Sequence, residues 1–249
     1  MNAEKPKLKV ALLFFGITRS LKWTIASIKQ NIFEPLKENN IDYDTFMHTY
    51  KLTSNYINPR ANEIMNVSDI DNDEYKLLKP DFLQIDIQEE IKKNINVHKY
   101  RTNSDPWNTK YVTVDNYILG CYSRAQLVKM VKQRKNEYDY ILYIRPDCTY
   151  TSKLNIDWFN KVNDKTICIP DFHTFPINDR FSICNMKNYE IYGNIFNSLL
   201  EISKKRPLHS ETILQLTLKN NNIRWINIDF KFIRTRYGGR LVERDLCLS

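Results

Sequence analysis

Residues 8–16 read LKVALLFFG, a nearly continuous apolar run that ends at a glycine. Such a run is typical of a strand that is buried on both faces of a parallel sheet. Apolar side chains then recur at intervals of three and four residues, which predicts a helix. They are Leu21, Ile25, Ile28, Ile32 and Leu36. Thr18 or Ser20 is predicted to cap this helix, and Pro35 to end or kink it. A second strand is predicted at Tyr43–His48, which completes the strand–helix–strand unit of an α/β fold.

The rest of the chain continues this alternation. Residues 50–110 are polar and rich in Asn and Asp, and we expect them to cover part of a cleft. Further strands are predicted at Phe82–Ile87, Tyr140–Arg145, Thr166–Pro170, Phe181–Cys184 and Ile223–Ile233, and helices at Gln88–Asn94, Tyr117–Arg134, Ile156–Val162, Met186–Lys204 and Glu211–Lys219. We predict a single α/β domain over residues 1–249, with a core at about 8–239. Its central sheet is predicted to be mostly parallel and flanked by helices.

The charge and the glycine content restrict the class of function. The net charge is +8, which makes phosphates, anionic lipid or nucleic acid candidate partners. The charge is spread along the chain, so it predicts no basic arm. The sequence has only 5 glycines and contains neither G-x-G-x-x-G nor a Walker sequence. These absences argue against a dinucleotide-dependent oxidoreductase and against a P-loop kinase.

The cysteines and the apolar segments bear on location. The chain has 5 cysteines, and none is close enough to another to form a C-x-x-C motif. They are Cys121, Cys148, Cys168, Cys184 and Cys247. A scattered, odd-numbered set fits a reducing compartment. The apolar run Val10–Phe15 is too short for a signal sequence or a membrane span. We therefore expect a cytoplasmic protein.

Three predicted strands end in residues suited to ligand binding, which in open α/β sheets occurs beyond the carboxyl ends of strands. Residues 15–20 (FGITRS) offer a glycine, a hydroxyl and an arginine that can make forked contacts with phosphate. Residues 48–50 (HTY) form the second end. At the third end, Asp147 stands beside Arg145. A divalent cation held by Asp147 could offset phosphate charge, or Asp147 could simply pair with Arg145.

Seven motifs extend from about Leu8 to Gly239. In order, they are FFGITRS, SIKQNIFEPLK, YDTFMHTY, ILGCYSRAQLVKMV, YDYILYIRPDCTY, NDRFSICN and LHSETILQLTL. Their order and spacing resemble a glycosyltransferase family of large DNA viruses and some bacteria. The resemblance implies a GT-A-like (Rossmann-like) fold and a nucleotide-diphosphate sugar donor, with UDP favoured. It also implies transfer of a hexosyl or deoxyhexosyl group to a glycan or other hydroxyl acceptor, and a metal ion, Mn²⁺ or Mg²⁺. A viral source would place the protein in the host cytoplasm.

The resemblance assigns the donor site residue by residue. The implied residues are Phe15, Gly16, Thr18, Arg19, Thr49, Arg124, Arg145 and Asp147. Thr49 would lie near the base, Arg124 would reach the diphosphate, and Asp147 would bind the metal. Thr149 stands where the family has a second aspartate. Either Asp147 holds the ion together with the diphosphate and water, or the enzyme needs no metal.

An inverting transferase needs a general base close to the acceptor hydroxyl. The candidates are Asp179 and Glu211, followed by Asp171 and His173. Asp179 is preferred because it follows a polar loop that could border an acceptor. Alternatively, Asp179 pairs with Arg180 in a turn, and Glu211 is a first-turn helix residue favoured by the helix dipole.

Other interpretations of the sequence remain open. Arg234, Arg236 and Arg240 could clamp the diphosphate or lie exposed. A nucleic-acid-binding module would explain the basic charge and the 15 tyrosines, but no helix-turn-helix, zinc or RNP pattern is present, and we expect no nucleic-acid partner. A non-catalytic protein that binds nucleotides or glycans would explain Thr149.

Overall fold

The computed structural model describes residues 7–134 and 138–246, so Cys247 lies outside the described residues. The opening apolar run forms a central strand, β1 (Lys9–Phe15), whose residues are buried after Lys9. Alternate side chains of β1 belong to two separate hydrophobic clusters, one on each face of the sheet. The prediction of a strand buried on both faces is confirmed.

Runs of strands alternate with α-helices along the chain. The other strands are β2 (Asp42–Lys51), β3 (Tyr56–Asn58), β4 (Glu63–Met65), β5 (Phe82–Ile87), β6 (Tyr140–Ile144), β7 (Cys148–Tyr150), β8 (Thr166–Pro170), β9 (Phe181–Asn185), β10 (Arg224–Ile228) and β11 (Phe232–Arg234). The α-helices are α1 (Leu21–Ile28), α2 (Glu34–Glu38), α3 (Gln88–Ile95), α4 (Val112–Lys132), α5 (Tyr189–Gly193), α6 (Phe196–Ser203), α7 (Ser210–Asn220) and α8 (Glu243–Leu246). Short 3-10 turns lie at Pro59–Ala61, Val67–Asp69, Glu74–Leu77, Val97–Tyr100, Ile156–Lys161 and Tyr237–Gly239.

The main sheet has 7 strands in the order β10-β8-β9-β6-β1-β2-β5. β1 is parallel to β2 and β6, β2 is parallel to β5, and β8 is parallel to β10. Only β9 runs antiparallel to its neighbours within this sheet. Two small antiparallel pairs, β3–β4 and β7–β11, stand outside it. The predicted α/β fold with a mostly parallel sheet flanked by helices is confirmed.

The first helix differs from its prediction at both ends. Ser20 is its N-cap residue, but the Ser20 hydroxyl does not cap the helix and instead donates to the carbonyl of Thr235 at 2.9 Å. A π-helical turn at Lys29–Phe33 joins α1 to α2, and Pro35 lies at the start of α2. Proline lacks an N–H and clashes with the carbonyl one turn earlier in a regular helix, and the wider π-turn accommodates it. The helical path therefore continues through Pro35.

Two predicted elements are each divided into two. The predicted helix Met186–Lys204 is split into α5 and α6, and α5 ends at Gly193, where a side chain would collide with the Tyr143 hydroxyl. The predicted strand Ile223–Ile233 is split into β10, beside β8, and β11, beside β7. The alternating pattern does not reveal this turn because Phe230, inside the turn, is fully buried like a strand residue.

Helix α4 packs against β1 and β2 and begins five residues before the predicted Tyr117. In the part of the chain that the structure describes, no helix is long and apolar enough to cross a membrane.

Candidate active site

A cleft of about 430 Å³ opens beyond the carboxyl ends of β1, β2 and β6. Its walls include Phe15 and Gly16 at the end of β1, Tyr50 in β2 and Arg145 just after β6. Ligands bind at this edge in open α/β sheets. The volume falls in the range of about 300–1,000 Å³ that is usual for small-molecule sites. The predicted strand ends therefore meet at one cleft.

Arginine dominates the lining of this cleft. The lining includes nine arginines, against the two aspartates Asp147 and Asp179. The arginines are Arg19, Arg60, Arg124, Arg145, Arg180, Arg234, Arg236, Arg240 and Arg244. Guanidinium groups stay protonated and present planar forks of N–H donors that match phosphate and carboxylate oxygens. The cleft is thus suited to an anionic ligand.

Asp147 lies at the centre of one arginine cluster. Its carboxylate accepts from Arg145 Nε at 2.8 Å and Nη2 at 2.5 Å, and from Arg19 Nη2 at 3.1 Å. Arg236 Nη1 lies 3.7 Å away, and only 2% of Asp147 is exposed. Burial alone would raise the pKa of Asp147, but Arg145 and Arg19 hold it far below its usual range. Asp147 is therefore an ionised carboxylate enclosed by guanidinium groups.

The surroundings of Asp147 do not fit a divalent cation. Both of its carboxylate oxygens accept from guanidinium N–H groups. Thr149, the second position of the motif, pairs its hydroxyl with that of Thr235 at 2.7 Å. No group of three or more His, Cys, Asp or Glu that could hold a metal occurs within residues 7–134 and 138–246. At an effective dielectric of 20, two unit charges 4 Å apart interact by about 4 kcal/mol, so a dication among these arginines would be repelled. The predicted metal role of Asp147 does not agree with this donor set.

Arg19 links this cluster to the segments that cover the cleft. Its Nε donates to Glu63 Oε1 at 3.1 Å, and the same oxygen accepts from the backbone N–H of Tyr237 at 2.7 Å. Arg240 Nη2 donates to the carbonyl of Ala61 at 2.6 Å. The β3–β4 hairpin and the chain after β11 are thereby held together over the cleft. The expectation that residues within 50–110 cover part of a cleft is confirmed.

A second group of charges surrounds Asp179. Arg180 Nη2 donates to Glu211 Oε1 at 3.2 Å, and Arg180 Nη1 lies 3.7 Å from Asp179. Burial alone would raise the pKa of Asp179, but Arg180, Arg145 and Arg124 lower it below its ordinary value. Asp179 faces the cleft, whereas Glu211 lies behind Arg180 and is 1% exposed. Asp179 is the ionised carboxylate of the pair and the one that a ligand can reach.

Glu211 makes the stability of the protein depend on pH. Burial and the nearby Asp179 raise the pKa of Glu211 from 4.5 to about 7. The folded state then binds this proton more tightly than the unfolded state. The contribution of Glu211 to stability is fully present below pH 4.5 and is lost as the pH rises through about 7. The free energy of unfolding of Glu211→Gln, relative to that of wild type, should therefore increase from pH 5 to pH 8. The increase should be up to about 3 kcal/mol. Urea unfolding at both pH values measures the gain.

The matched control for this prediction is Glu201→Gln, which makes the same change on an exposed side chain. The free energy of unfolding of Glu201→Gln, relative to wild type, should be the same at pH 5 and at pH 8. A free-energy difference for Glu211→Gln that stays constant across the two pH values would contradict a raised pKa at Glu211.

One face of α4 forms a wall of the cleft. Four residues of this face follow one another at spacings of four, three and four, so they lie in one row along the helix. They are Thr113, Tyr117, Gly120 and Arg124. A side chain built at Gly120 would meet no atom within 4 Å. The glycine therefore leaves room in the cleft, and we call this row the α4 wall.

The Arg124 guanidinium on the α4 wall is buried with unused donors. It lies between the rings of Phe15 and Tyr192, at 5.5 and 5.1 Å from their centroids. Its Nη2 donates to Cys121 Sγ at 3.1 Å, but its Nε and Nη1 have no hydrogen-bond partner. A buried charged donor without an acceptor is costly, and an anionic ligand in the cleft would supply the missing acceptor.

Neutral polar groups on and beside the α4 wall also lack hydrogen-bond partners. Trp107 Nε1 and the Thr113 hydroxyl are buried without a hydrogen bond. The Trp107 ring lies 5.4 Å from the His209 ring and 5.4 Å from the Arg60 guanidinium. An aromatic ring with polar groups beside it offers apolar contact and hydrogen bonding together, which suits an amphipathic ligand.

A buried network behind the cleft fixes Gly16. Ser123 Oγ accepts from the Gly16 N–H at 2.9 Å and lies 2.8 Å from His48 Nδ1, while His48 Nε2 lies 3.0 Å from Asp86. Burial lowers the pKa of His48 in spite of Asp86. Ser123 is fully buried, so this Ser–His–Asp arrangement cannot act on a substrate. It holds Gly16, whose φ of +96° favours glycine, at the edge of the cleft.

Most residues that the sequence assigned to the site lie in the cleft. The lining includes Phe15, Gly16, Arg19, Arg124, Arg145, Asp147 and Asp179, together with Arg234, Arg236 and Arg240. Thr18 borders a small neighbouring cavity. Side chains alternate along β2, so Thr49 points away from the face that presents Tyr50 to the cleft. The structure therefore does not place Thr49 or Thr18 in the lining.

The two remaining base candidates have partners elsewhere. Asp171 pairs with Lys231 at 3.1 Å, and His173 Nε2 lies 2.9 Å from Asp245. Neither residue lines the cleft.

Sequence reasoning missed Arg60, Trp107, Glu63 and Arg244. They lie on the covering segments, where no periodic pattern fixes the direction of a side chain. The only available signal was the set of single charged or aromatic residues within a polar stretch.

Comparisons with known proteins concern the fold. No protein-family model matches the sequence, and no curated protein matches it. Among solved structures, the chain is similar to the galactosyltransferase LgtC in complex with donor and acceptor sugar analogs. The two sequences are 11% identical, the match covers 88% of this chain and 73% of that chain, and the TM-score is 0.47. It is also similar to a glycosyltransferase involved in the glycosylation of the major capsid of PBCV-1, with 10% identity, coverage of 90% and 82%, and a TM-score of 0.43. Both likenesses describe the course of the chain and assign no role to a residue of the cleft.

Proposed function

We propose that the protein is a glycosyltransferase that uses a nucleoside-diphosphate sugar as donor. One observation carries the proposal. The cleft at the carboxyl ends of the parallel strands gathers nine arginines around two carboxylates, and Arg124 is buried there with free donors. A nucleoside diphosphate supplies the anionic oxygens that these donors lack. We propose UDP as the nucleotide and a hexosyl or deoxyhexosyl group as the sugar, following the sequence resemblance.

We propose a distinct place for each part of the substrates. The diphosphate lies against Arg124, Arg145 and Arg236, beside Asp147. The nucleoside lies against Phe15 and the α4 wall near Gly120, where the cleft is open. The acceptor hydroxyl lies beside Asp179, and the aromatic surface near Trp107 supports the acceptor sugar. Hydrogen bonds fix each ligand part, while the rings provide apolar contact.

The proposed reaction is a direct displacement at the anomeric carbon. The acceptor oxygen forms a bond to this carbon, and its proton passes to the Asp179 carboxylate. The bond between the anomeric carbon and the phosphate oxygen breaks, and the electron pair leaves with the nucleoside diphosphate. Fixed N–H donors of Arg145 and Arg236 would stabilise the charge that develops on the leaving group.

The test is ligand-dependent thermal stability with UDP, GDP, CMP and NAD, followed by an assay of sugar release from the matching donor. Ligands that bind only the native state raise Tm by mass action. Gly120→Leu should abolish the Tm shift because its side chain fills the proposed nucleoside position. Gly120→Ala should keep or raise the stability of the free protein, by up to about 1 kcal/mol, because alanine favours the helix.

Gly193→Ala is the control for the glycine substitutions, because a side chain there would collide with Tyr143 and Val128. It should destabilise the protein by about 1–3 kcal/mol and leave nucleotide affinity unchanged. If no nucleotide shifts Tm, or if Gly120→Leu binds like wild type, the cleft is not a nucleotide site. Nucleotide binding without sugar release would favour a non-catalytic binding protein. Salt-dependent binding of DNA or RNA without a nucleotide shift would favour a nucleic-acid module.

A further inference from the structure

We infer that the cleft neutralises the diphosphate with the guanidinium groups around Asp147, and that binding needs no divalent cation. The inference rests on the proposed function. It concerns the role of Asp147, which would hold Arg19, Arg145 and Arg236 in place and would not bind a metal ion.

The first support is the geometry of Asp147. A metal ligand must offer a free lone pair directed at the ion. Oδ1 of Asp147 accepts from Arg145 Nε and, at 4.0 Å, from the Cys148 thiol, and Oδ2 accepts from Arg145 Nη2 and Arg19 Nη2. These contacts account for the roughly four lone-pair sites of a carboxylate. Only 3% of the Asp147 side chain is exposed, so little of it faces the cleft directly. A ligand in the cleft would meet the arginines before it met the carboxylate.

The second support comes from the neighbouring oxygen groups. The Thr149 and Thr235 hydroxyls hydrogen-bond to each other, and neither brings to the site the negative charge that a second aspartate would supply. Asp179, the other carboxylate in the lining, lies beside Arg180 at 3.7 Å. Glu63 accepts from Arg19 and from the backbone N–H of Tyr237. The carboxylates near the cleft are thus engaged with positively charged groups or N–H donors.

The third support is an excess of positive charge that lacks a partner. Arg236 is 8% exposed, and its Nε has no hydrogen-bond partner. Burial and the positive charge of Arg19 lower the pKa of Arg236 to about 10. The three guanidinium groups of this cluster therefore face only two carboxylates, Asp147 and Glu63, and an added anion offsets the remaining positive charge. An added cation would increase it.

The arrangement also suits the reaction. A leaving diphosphate gains negative charge as the sugar–phosphate bond breaks. Guanidinium N–H groups that are already fixed by Asp147 and Glu63 need little reorganisation to bind that charge. Arginine remains protonated across the physiological pH range, so the effect requires no proton transfer.

The experiment is isothermal titration of the 249-residue protein with inorganic pyrophosphate, UDP and GDP, in EDTA and in Mn²⁺. Pyrophosphate tests the anion site independently of the base. We expect binding in EDTA, with a Kd that Mn²⁺ changes by less than about threefold. Arg236→Gln should weaken pyrophosphate at least about tenfold in both conditions, because a charge-assisted contact is lost. Arg206→Gln removes the same charge from an exposed position outside the lining and should have no effect.

Asp147→Asn distinguishes a residue that positions arginines from a metal ligand, because the two roles predict opposite changes in pyrophosphate affinity. Removing the negative charge should keep or strengthen pyrophosphate binding if Asp147 only positions arginines. A metal ligand would instead lose its Mn²⁺-dependent binding. If Asp147→Asn fails to fold, the comparison of EDTA with Mn²⁺ in the wild-type protein decides the question alone. Binding that appears only with Mn²⁺ would overturn the inference and leave the proposed function in place. Absence of binding to all three probes in both conditions would overturn both.

Discussion

Replacing Asp179 by asparagine is expected to lower kcat for sugar transfer by about 10²–10⁴-fold, the usual range for a general base. Asparagine keeps the size of the side chain but cannot take the acceptor proton. Asp179 faces the cleft, and Arg180, Arg145 and Arg124 keep its pKa low, so wild-type Asp179 is ionised at neutral pH. The affinity for UDP should be kept or increased, since the variant removes negative charge from an arginine-rich cleft. Turnover of the donor identified by the nucleotide panel, together with UDP titration, measures both effects.

The control for Asp179→Asn is Asp171→Asn. Asp171 was another candidate base, but it pairs with Lys231 and lies outside the cleft lining. Its variant should retain wild-type kcat. A second comparison is Glu211→Gln, which should reduce kcat less than Asp179→Asn because Glu211 lies behind Arg180. Wild-type turnover in Asp179→Asn would remove Asp179 from the proton transfer.

Replacing Asp147 by alanine is expected to destabilise the protein by about 3–5 kcal/mol, because buried charges lose their partner. The buried Arg19 and the partly buried Arg145 would then lose the carboxylate that both contact. For a chain of this length, the loss corresponds to a decrease in Tm of roughly 6–20 °C. Urea unfolding of the free protein measures the free energy. Asp147→Ala thus tests stability as well as activity.

Asp42→Ala is the matched control for Asp147→Ala. Asp42 also forms an ion pair, with Lys7 at 2.6 Å, but its side chain is 58% exposed. Its loss should change stability by no more than about 0.5 kcal/mol. Pyrophosphate should restore more stability to Asp147→Ala than to wild type, since it supplies the missing negative charge. An Asp147→Ala protein as stable as Asp42→Ala would show that the arginines do not depend on Asp147.

Several features of the fold and the site could be predicted from the sequence because they depend on local patterns. The apolar run of β1 identified a buried strand, and the strand ends identified Gly16, Arg145 and Asp147 as neighbours of one cleft. This prediction works because parallel strands direct their carboxyl ends to the same edge of the sheet. The same reasoning could not tell which face a residue occupies, and Thr49 lies on the opposite face from Tyr50.

The sequence by itself determined the α/β fold, the position of the cleft and most of its charged residues. Only the tertiary structure decided how those charges are paired. Asp147 contacts Arg19, 128 positions away in the chain, and Glu63 contacts Tyr237, 174 positions away. Such partners meet only when the sheet and its covering segments are assembled, so no local pattern records them. The pairing makes Asp147 a buried counter-ion, which does not fit the predicted role of metal ligand. Three guanidinium N–H groups and the Cys148 thiol already occupy the roughly four lone-pair sites of its carboxylate.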